Sequence, residues 1–107
     1  MVTFNASFIF GHGREEEFLH WFDEMHQSLG VDDPSRCMVM ALRDAHGEAH
    51  TQGDAHTVAV QWEFERLGDA RDWRDLRFGA VSSDFMKNFG PEAIVFTSIF
   101  EQLKIFE

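Results

Sequence analysis

Polar side chains that could bind a small molecule alternate along two segments with the spacing of β-strands. Asn5 and Ser7 occupy alternate positions of the first segment, and Thr57 and Gln61 share one parity in a later segment. In a strand, residues two positions apart point to the same face of the sheet. An amide both donates and accepts hydrogen bonds, so Asn5 and Gln61 can bind each other, water or a ligand. Mutual satisfaction is the commoner role, and a binding role is the alternative.

A histidine beside an apolar helical stripe is the side chain best suited to proton transfer. His26 directly follows Met25 and lies five residues after Trp21. An unperturbed imidazole titrates near neutral pH, which suits a general base. A structural or half-exposed histidine is the alternative, because no carboxylate partner can be assigned from the sequence. Cys37 begins the apolar run that ends at Leu42, which indicates a buried small hydrophobe rather than a nucleophile.

A histidine-rich segment raises the question of metal binding. Its potential ligands run from the last residue of one predicted strand to the first residue of the next: Asp44, His46, Glu48, His50, Asp54 and His56. Transition metals favour imidazole, but this spacing matches no established metal-site motif. A solvated loop explains so polar a run better. We therefore predict no metal site and no cofactor.

Six segments with strand or helix periodicity position these side chains. Val2 to Phe10 alternates with period two, and Arg14 to Leu29 carries an apolar stripe with helical spacing. The other elements are predicted as a strand over 36–44, a hairpin loop over 45–55, a strand over 56–65, a helical region over 68–90 bent or divided by Gly79, and a strand over 94–106. The order βαββαβ with right-handed crossovers predicts a ferredoxin-like α+β fold. It forms a single domain over 1–107, with both helices on one face of a four-stranded antiparallel sheet.

The second and last predicted strands are apolar on both sides, although only one side of a sheet can face the helices. The last strand alternates Ile94, Phe96 and Phe100 with Val95 and Ile99. A large exposed apolar patch on a small protein usually marks an interface. A second copy across a twofold axis is the simplest cover, and it would stack the two sheets as a barrel. We therefore expect a homodimer that forms through the open face of the sheet.

Composition and charge exclude several classes of protein. The 107 residues contain 9 Lys and Arg against 19 Asp and Glu, and this net charge of −10 disfavours nucleic acid and anionic membranes as partners. A hydrophobic content of 44%, interrupted by charge, fits neither disorder nor a bilayer span. A lone cysteine excludes an intramolecular disulfide, and the first ten residues lack the pattern of a secretory signal, so we expect a cytoplasmic protein.

Five short motifs follow one another along nearly the whole chain: Phe4-Asn5-Ala6-Ser7, Trp21 with His26, Val60-Gln61-Trp62, Phe89-Gly90-Pro91-Glu92 and Val95-Phe96-Thr97. In this order and spacing, they resemble the dimeric α+β barrel superfamily and, within it, a small bacterial family of uncharacterised proteins. The resemblance implies a homodimer with two sheets packed as a barrel. It implies no established activity.

Monooxygenases of the same superfamily provide the enzymatic comparison. In the haem-degrading members, the site combines a first-strand Asn, a second-helix Trp and a His ten residues after that Trp. Asn5 and Trp73 match this pattern, but Ser83 stands at the histidine position. Serine cannot ligate haem iron as imidazole does, so the comparison implies no haem. A cofactor-independent monooxygenase that acts on an aromatic substrate through Asn5, His26 and Trp73 is the enzymatic hypothesis.

These observations lead to one prediction and two alternatives. We predict a homodimer that binds a small, partly apolar ligand in a cavity between the helices and the sheet. The expected lining of that cavity is Asn5, Ser7, Trp21, His26, Gln61 and Trp62. The alternatives are the cofactor-independent monooxygenase and a non-catalytic dimerisation module. A closed, packed space between helices and sheet would favour the module.

Overall fold

A computed structural model describes residues 1–29, 34, 36–43, 51–52 and 55–107. Its elements are β1 (Val2–Gly11), α1 (Glu15–Ser28), β2 (Arg36–Ala41), β3 (Thr51–Gln52), β4 (Ala55–Phe64), α2 (Leu67–Leu76), α3 (Phe78–Phe89), a 3-10 turn (Gly90–Glu92) and β5 (Ile94–Glu101). The strands lie in the order β2-β4-β1-β5, all antiparallel, and β3 pairs with the beginning of β4. The predicted ferredoxin-like α+β fold is confirmed.

Strand alternation gives the central strands β1 and β4 two distinct faces. The even-numbered residues of β1 are buried, and the odd-numbered residues from Thr3 to Ile9 are only partly covered. In β4 the same parity holds, from buried His56 to buried Phe64. Because antiparallel partners share a face, the register aligns the buried rows of the two strands. We call the other side, which none of the described helices covers, the open face.

The helices bury their apolar stripes against the covered side of the sheet. Helix α1 contributes Phe18, Phe22 and Met25, and its first turn is acidic, which the helix dipole favours. Helix α3 contributes four buried side chains at helical spacing: Phe78, Val81, Phe85 and Phe89. The predicted first helix is confirmed to within one residue at each end. Within the described part of the chain, no helix is long and apolar enough to cross a membrane.

The second helical region is divided, but at a different residue from the one predicted. Helix α2 ends at Leu76 and α3 begins at Phe78, while Arg77 has the non-helical dihedral angles φ −121° and ψ −42°. Gly79 lies inside the first turn of α3. The division therefore allows both Trp73 of α2 and Phe78 of α3 to point into the core, where they are 4% and 5% exposed.

Two strands end earlier than the sequence predicts. The last strand, expected to reach Phe106, ends at Glu101, which pairs with Val2 of β1, and the Gln102 N–H still bonds to the Met1 carbonyl. The second strand, expected to reach Asp44, ends at Ala41, although the Leu42 N–H still bonds to the Thr57 carbonyl. Most of the predicted hairpin loop, including His46 and His50, lies outside the described residues. Short strand β3 falls within it.

Candidate functional site

Amide and hydroxyl groups form a connected polar centre on the open face. The Gln61 Nε2 donates to Asn5 Oδ1 at 3.3 Å, and the Asn5 Nδ2 lies 3.4 Å from Ser7 Oγ. Asn5 pairs with Gln61 on one side and with Ser98 on the other. The predicted common face for Asn5, Ser7, Thr57 and Gln61 is thus present. These hydrogen bonds run within one chain, so the amides are partly satisfied without a ligand.

Large apolar side chains flank this polar centre on both edge strands of the open face. On β5, Phe96 pairs with Ser7 and is 61% exposed, and Phe100 pairs with Thr3 and is 57% exposed. Ile94 on the same strand and Met40 on β2 are also exposed. We call Met40, Ile94, Phe96 and Phe100 the apolar rim. Four large hydrophobic side chains in water on one face of a small chain are typical of an interface.

The predicted ligand-binding residues do not form a single cavity, because they lie on opposite faces of the sheet. Asn5, Ser7 and Gln61 belong to the open face, whereas Trp62 is fully buried beneath the helices. Trp21 and His26 belong to the helix side, on α1. The predicted catalytic trio is divided in the same way, since Trp73 packs on Trp62 with ring centroids 5.3 Å apart while Asn5 points away. Asn5, His26 and Trp73 are therefore not brought together.

Aromatic rings fill the space between helices and sheet. Phe8, fully buried at the centre, has its ring centroid 4.8 Å from that of Phe85 and 5.3 Å from that of Phe18. Trp62 lies between Phe4 and Trp73, and neither its indole N–H nor that of Trp73 has a hydrogen-bond partner in the described chain. Rings at these distances are in mutual contact. This aromatic layer occupies much of the space predicted to hold the cavity, and its packing favours the dimerisation module over a ligand site at the centre of the core.

Trp21 has a structural contact rather than a free indole. Its Nε1 donates to Asp84 Oδ2 at 2.7 Å, which ties α1 to α3. A groove of about 290 Å³ follows the same seam and is lined by Met25, Ser28, Leu29, Ala80, Val81 and Asp84. Asp84 is the charged residue of this groove, and its carboxylate already accepts the hydrogen bond from Trp21.

His26 lines an open cleft between α1 and the edge strand β2. The cleft has a volume of about 260 Å³ and is lined by Leu19, Phe22, Asp23, His26, Cys37 and Val39. The four helix residues fall at positions i, i+3, i+4 and i+7, so they form one stripe along α1. Cys37 and Val39 are odd-numbered residues of β2 and point to the helix side. We call this site the α1–β2 cleft.

The polar groups of the α1–β2 cleft are few and unpaired. The Nδ1 of His26 is buried and has no hydrogen-bond partner among the described residues, and the His26 ring stacks on Phe22 with centroids 5.5 Å apart. Asp23 is exposed at its mouth and makes no ion pair with any described residue. Burial raises the pKa of the Cys37 thiol to about 11, so Cys37 is a neutral thiol near pH 7. The cleft thus offers one carboxylate and one imidazole in an apolar wall.

The sequence predicts a site at His26 but not at its neighbours in the cleft. Leu19, Asp23 and Val39 have no predicted role, and Cys37 is predicted only to be a buried hydrophobe. The helical spacing of Leu19, Phe22, Asp23 and His26 was a signal that could have found the stripe. The strand that faces it was not predictable from spacing alone, because that contact depends on how α1 sits on the sheet.

His56, the described member of the histidine-rich segment, belongs to an ionic cluster with Glu15 and Arg43. It is 2% exposed, and its Nε2 lies 2.8 Å from Glu15 Oε2, although the atoms are not aligned as a hydrogen bond. The Arg43 Nη2 donates to both Glu15 carboxylate oxygens, at 2.8 and 3.1 Å. Among the described residues, no group of three His, Cys, Asp or Glu side chains could hold a metal ion. We call Glu15, Arg43 and His56 the Glu15 cluster.

Comparison with known proteins gives a fold but no family. No family model matches the chain, and no curated protein matches it. Among solved structures, the chain is similar to a dimeric ferredoxin-like protein from an uncultured marine organism, with 14% sequence identity and a TM-score of 0.60. The match covers 100% of this chain and 99% of the other. The chain therefore has the ferredoxin-like fold over its whole length.

Proposed function

We propose that the chain forms a homodimer through its open face and binds a small, partly apolar molecule on its helix side. The exposure of the apolar rim is the observation that supports the homodimer. Phe96 and Phe100 are more than half exposed in the single chain, which leaves large apolar surface in water. Burial of these rings against a second copy removes that surface from water without any other partner.

The shape of the open face also favours a second copy as the occupant. The rim lies on both edge strands and the hydrogen-bonded polar centre lies between them, so two faces related by a twofold axis can match apolar to apolar and polar to polar. The similar marine protein is described as dimeric, which supports the same assembly here. Leu103, Ile105 and Phe106, which follow β5 in the chain, are also exposed and provide further apolar surface.

Charge substitutions on the rim test this dimer. We expect the wild type to sediment as a dimer at micromolar concentration, and Phe96→Glu and Phe100→Glu to sediment as folded monomers. Leu76→Glu is the matched control, because Leu76 is 77% exposed on α2 and lies away from the open face. It introduces the same charge and should leave the dimer intact. A monomeric wild type, or dimeric Phe96→Glu and Phe100→Glu variants, would contradict the proposal.

The α1–β2 cleft is the site that supports ligand binding. Its volume of about 260 Å³ lies just below the roughly 300 to 1,000 Å³ typical of ligand pockets, so a small ligand fits. Its apolar wall and its unpaired polar groups match the usual form of such sites. The packed aromatic layer beneath it favours this position over the centre of the core.

A substitution that fills the cleft tests the ligand-binding part. Val39→Trp places an indole in the cleft from an exposed position of an edge strand. We expect saturation-transfer NMR to detect benzyl alcohol on the wild type and to lose that signal in Val39→Trp. Thr97→Trp is the control, since Thr97 is exposed at a helix-side position of the opposite edge strand β5. Equal binding to all three proteins, or no binding to the wild type, would overturn this part.

A further inference from the structure

The charge of the α1–β2 cleft narrows the class of molecule that it can hold. Asp23 is the carboxylate at the mouth of the cleft, and it makes no ion pair with any described residue. The described lining contains no Lys or Arg that could neutralise it. Asp23 would repel an anionic ligand in the cleft, whereas a cationic ligand would gain a charge-assisted hydrogen bond from its contact with this carboxylate.

The buried imidazole of His26 offers a second point of contact. Its Nδ1 is enclosed, lacks a partner in the described chain and belongs to a side chain that lines the cleft. A buried nitrogen without a hydrogen bond is unfavourable, so a turn of the imidazole ring that presents Nδ1 to a ligand N–H in the cleft would relieve that deficit. A neutral imidazole nitrogen without its own hydrogen accepts such a bond. Asp23 and His26 are three residues apart on α1, so both can face the same ligand group.

The position of the cleft along α1 adds to the preference for a cation. His26 lies in the last turn of the helix, which ends at Ser28. The carboxyl end of a helix carries partial negative charge, and it stabilises cations within the last turn. The net charge of −10 also attracts cations to the chain, and so favours the same class of ligand.

The remaining residues that line the cleft favour a ligand whose cationic group is attached to an apolar part. Leu19 and Val39 are exposed residues of the cleft lining, and Phe22 forms the inner wall of the cleft at 6% exposure. The Cys37 thiol is neutral and adds to the apolar wall. We infer that the α1–β2 cleft binds a small amine with an aromatic or aliphatic body, its ammonium group held between Asp23 and His26. This inference rests on the proposed ligand-binding function and names its ligand class.

A pair of probes of the same shape tests the inference. Benzylamine carries an ammonium group at pH 7, and benzyl alcohol has the same ring and a neutral hydroxyl group. We expect the wild type to bind benzylamine about tenfold more tightly than benzyl alcohol, as titrated by chemical-shift changes. Asp23→Asn should reduce this ratio to near one, because benzylamine loses its charged partner. His26→Leu should weaken benzylamine more than benzyl alcohol.

A control on the same helix separates the local carboxylate from overall charge. Glu16→Gln removes one negative charge from an exposed position of α1 that lies outside the cleft. It should keep the tenfold preference. Equal affinities for the two probes in the wild type, or an unchanged preference in Asp23→Asn, would overturn the inference. The proposed function would still be supported if the wild type binds benzyl alcohol and Val39→Trp does not. Absence of binding by either probe would overturn both.

Discussion

Glu15 joins three parts of the fold at one carboxylate. It begins α1, accepts two hydrogen bonds from Arg43 just after β2, and lies against His56 at the start of β4. The hydrogen bonds from Arg43, together with the nearby positive charges, lower the pKa of Glu15 from its ordinary value of 4.5. Loss of this carboxylate would also leave buried His56 without its charged neighbour. The contribution of the Glu15 carboxylate to the free energy of unfolding therefore depends on pH.

We predict that Glu15→Gln destabilises the protein by about 1 kcal/mol at pH 7. A carboxyl whose pKa is lowered by folding contributes stability above its unfolded pKa and loses it as the pH falls through the folded pKa. The difference between wild type and Glu15→Gln should therefore shrink as the pH falls below about 4.5. Urea unfolding followed by tryptophan fluorescence at several pH values measures it.

The neighbouring residue provides the control for this prediction. Glu16 shares the first turn of α1 and its favourable position in the helix dipole, but it makes no ion pair within the described chain. Glu16→Gln should change stability far less, and with little dependence on pH in the acid range. A larger loss for Glu16→Gln than for Glu15→Gln would show that the helix dipole, and not the Glu15 cluster, accounts for the effect.

At the scale of single residues, the sequence predicts which face a strand residue occupies but not which residues meet across elements. Alternation correctly grouped Asn5, Ser7 and Gln61. The same alternation separates Gln61 from its neighbour Trp62, so the expectation of one cavity that contained both conflicted with the strand period itself. The contacts of Trp21 with Asp84 and of Glu15 with His56 join distant parts of the chain, and no local spacing encodes them.

At the scale of elements, the helical and strand periods predicted the order and most bounds correctly. Where they failed, the reason lies in neighbours that spacing cannot reveal. Strand β5 ends at Glu101, where its pairing with β1 ends, although the apolar pattern continues to Phe106. The break between α2 and α3 falls at Arg77, since burial of Trp73 and Phe78 against the sheet decides its place rather than the flexibility of Gly79.

Two glycines near the ends of α3 should respond to alanine in opposite directions. Gly79 lies within the helix, and a Cβ there meets no atom within 4 Å, so Gly79→Ala should stabilise the protein by about 0.5 kcal/mol. Gly90 ends α3 with φ +77° and ψ −162°, a conformation almost confined to glycine. Gly90→Ala should destabilise it by about 1 to 3 kcal/mol. Urea unfolding at one fixed protein concentration compares the two.

Each variant serves as the control for the other, because both add a single methyl group to an exposed glycine of the same helix region. Backbone conformation is the principal difference between the two sites, since neither Cβ meets a neighbour within 4 Å. Destabilisation by both substitutions to the same extent would mean that flexibility at the α2–α3 break is needed as well. Stabilisation by Gly90→Ala would contradict the left-handed conformation assigned to that helix end.

At the scale of the whole molecule, topology followed from the sequence while assembly remains a proposal. The βαββαβ order and right-handed crossovers leave few arrangements, and the ferredoxin-like one is observed. The excess of apolar residues on β2 and β5 indicated that the open face needs a cover. An interface forms between chains, so no spacing within one chain specifies its partner.

The net charge makes the proposed dimer sensitive to salt. Each protomer carries −10, and the open face itself contributes little of this, since its described strands place only Arg36 and Glu63 as charged residues there. Two protomers therefore repel each other over long distances and attract through apolar contact at short range. Salt shortens the reach of the repulsion from about 30 Å at 0.01 M to about 8 Å at 0.15 M and leaves apolar burial almost unchanged. We predict that added NaCl lowers the dissociation constant of the dimer severalfold over this range.

Sedimentation equilibrium at several NaCl concentrations measures this effect. The double variant Glu16→Lys with Asp72→Lys, on exposed helix positions away from the open face, reduces the negative charge of each protomer. It should dimerise more tightly than the wild type at low salt and respond less to NaCl, because less repulsion is left to screen. Dissociation of the wild-type dimer by added salt would mean that ion pairs, rather than the apolar rim, hold the two protomers together.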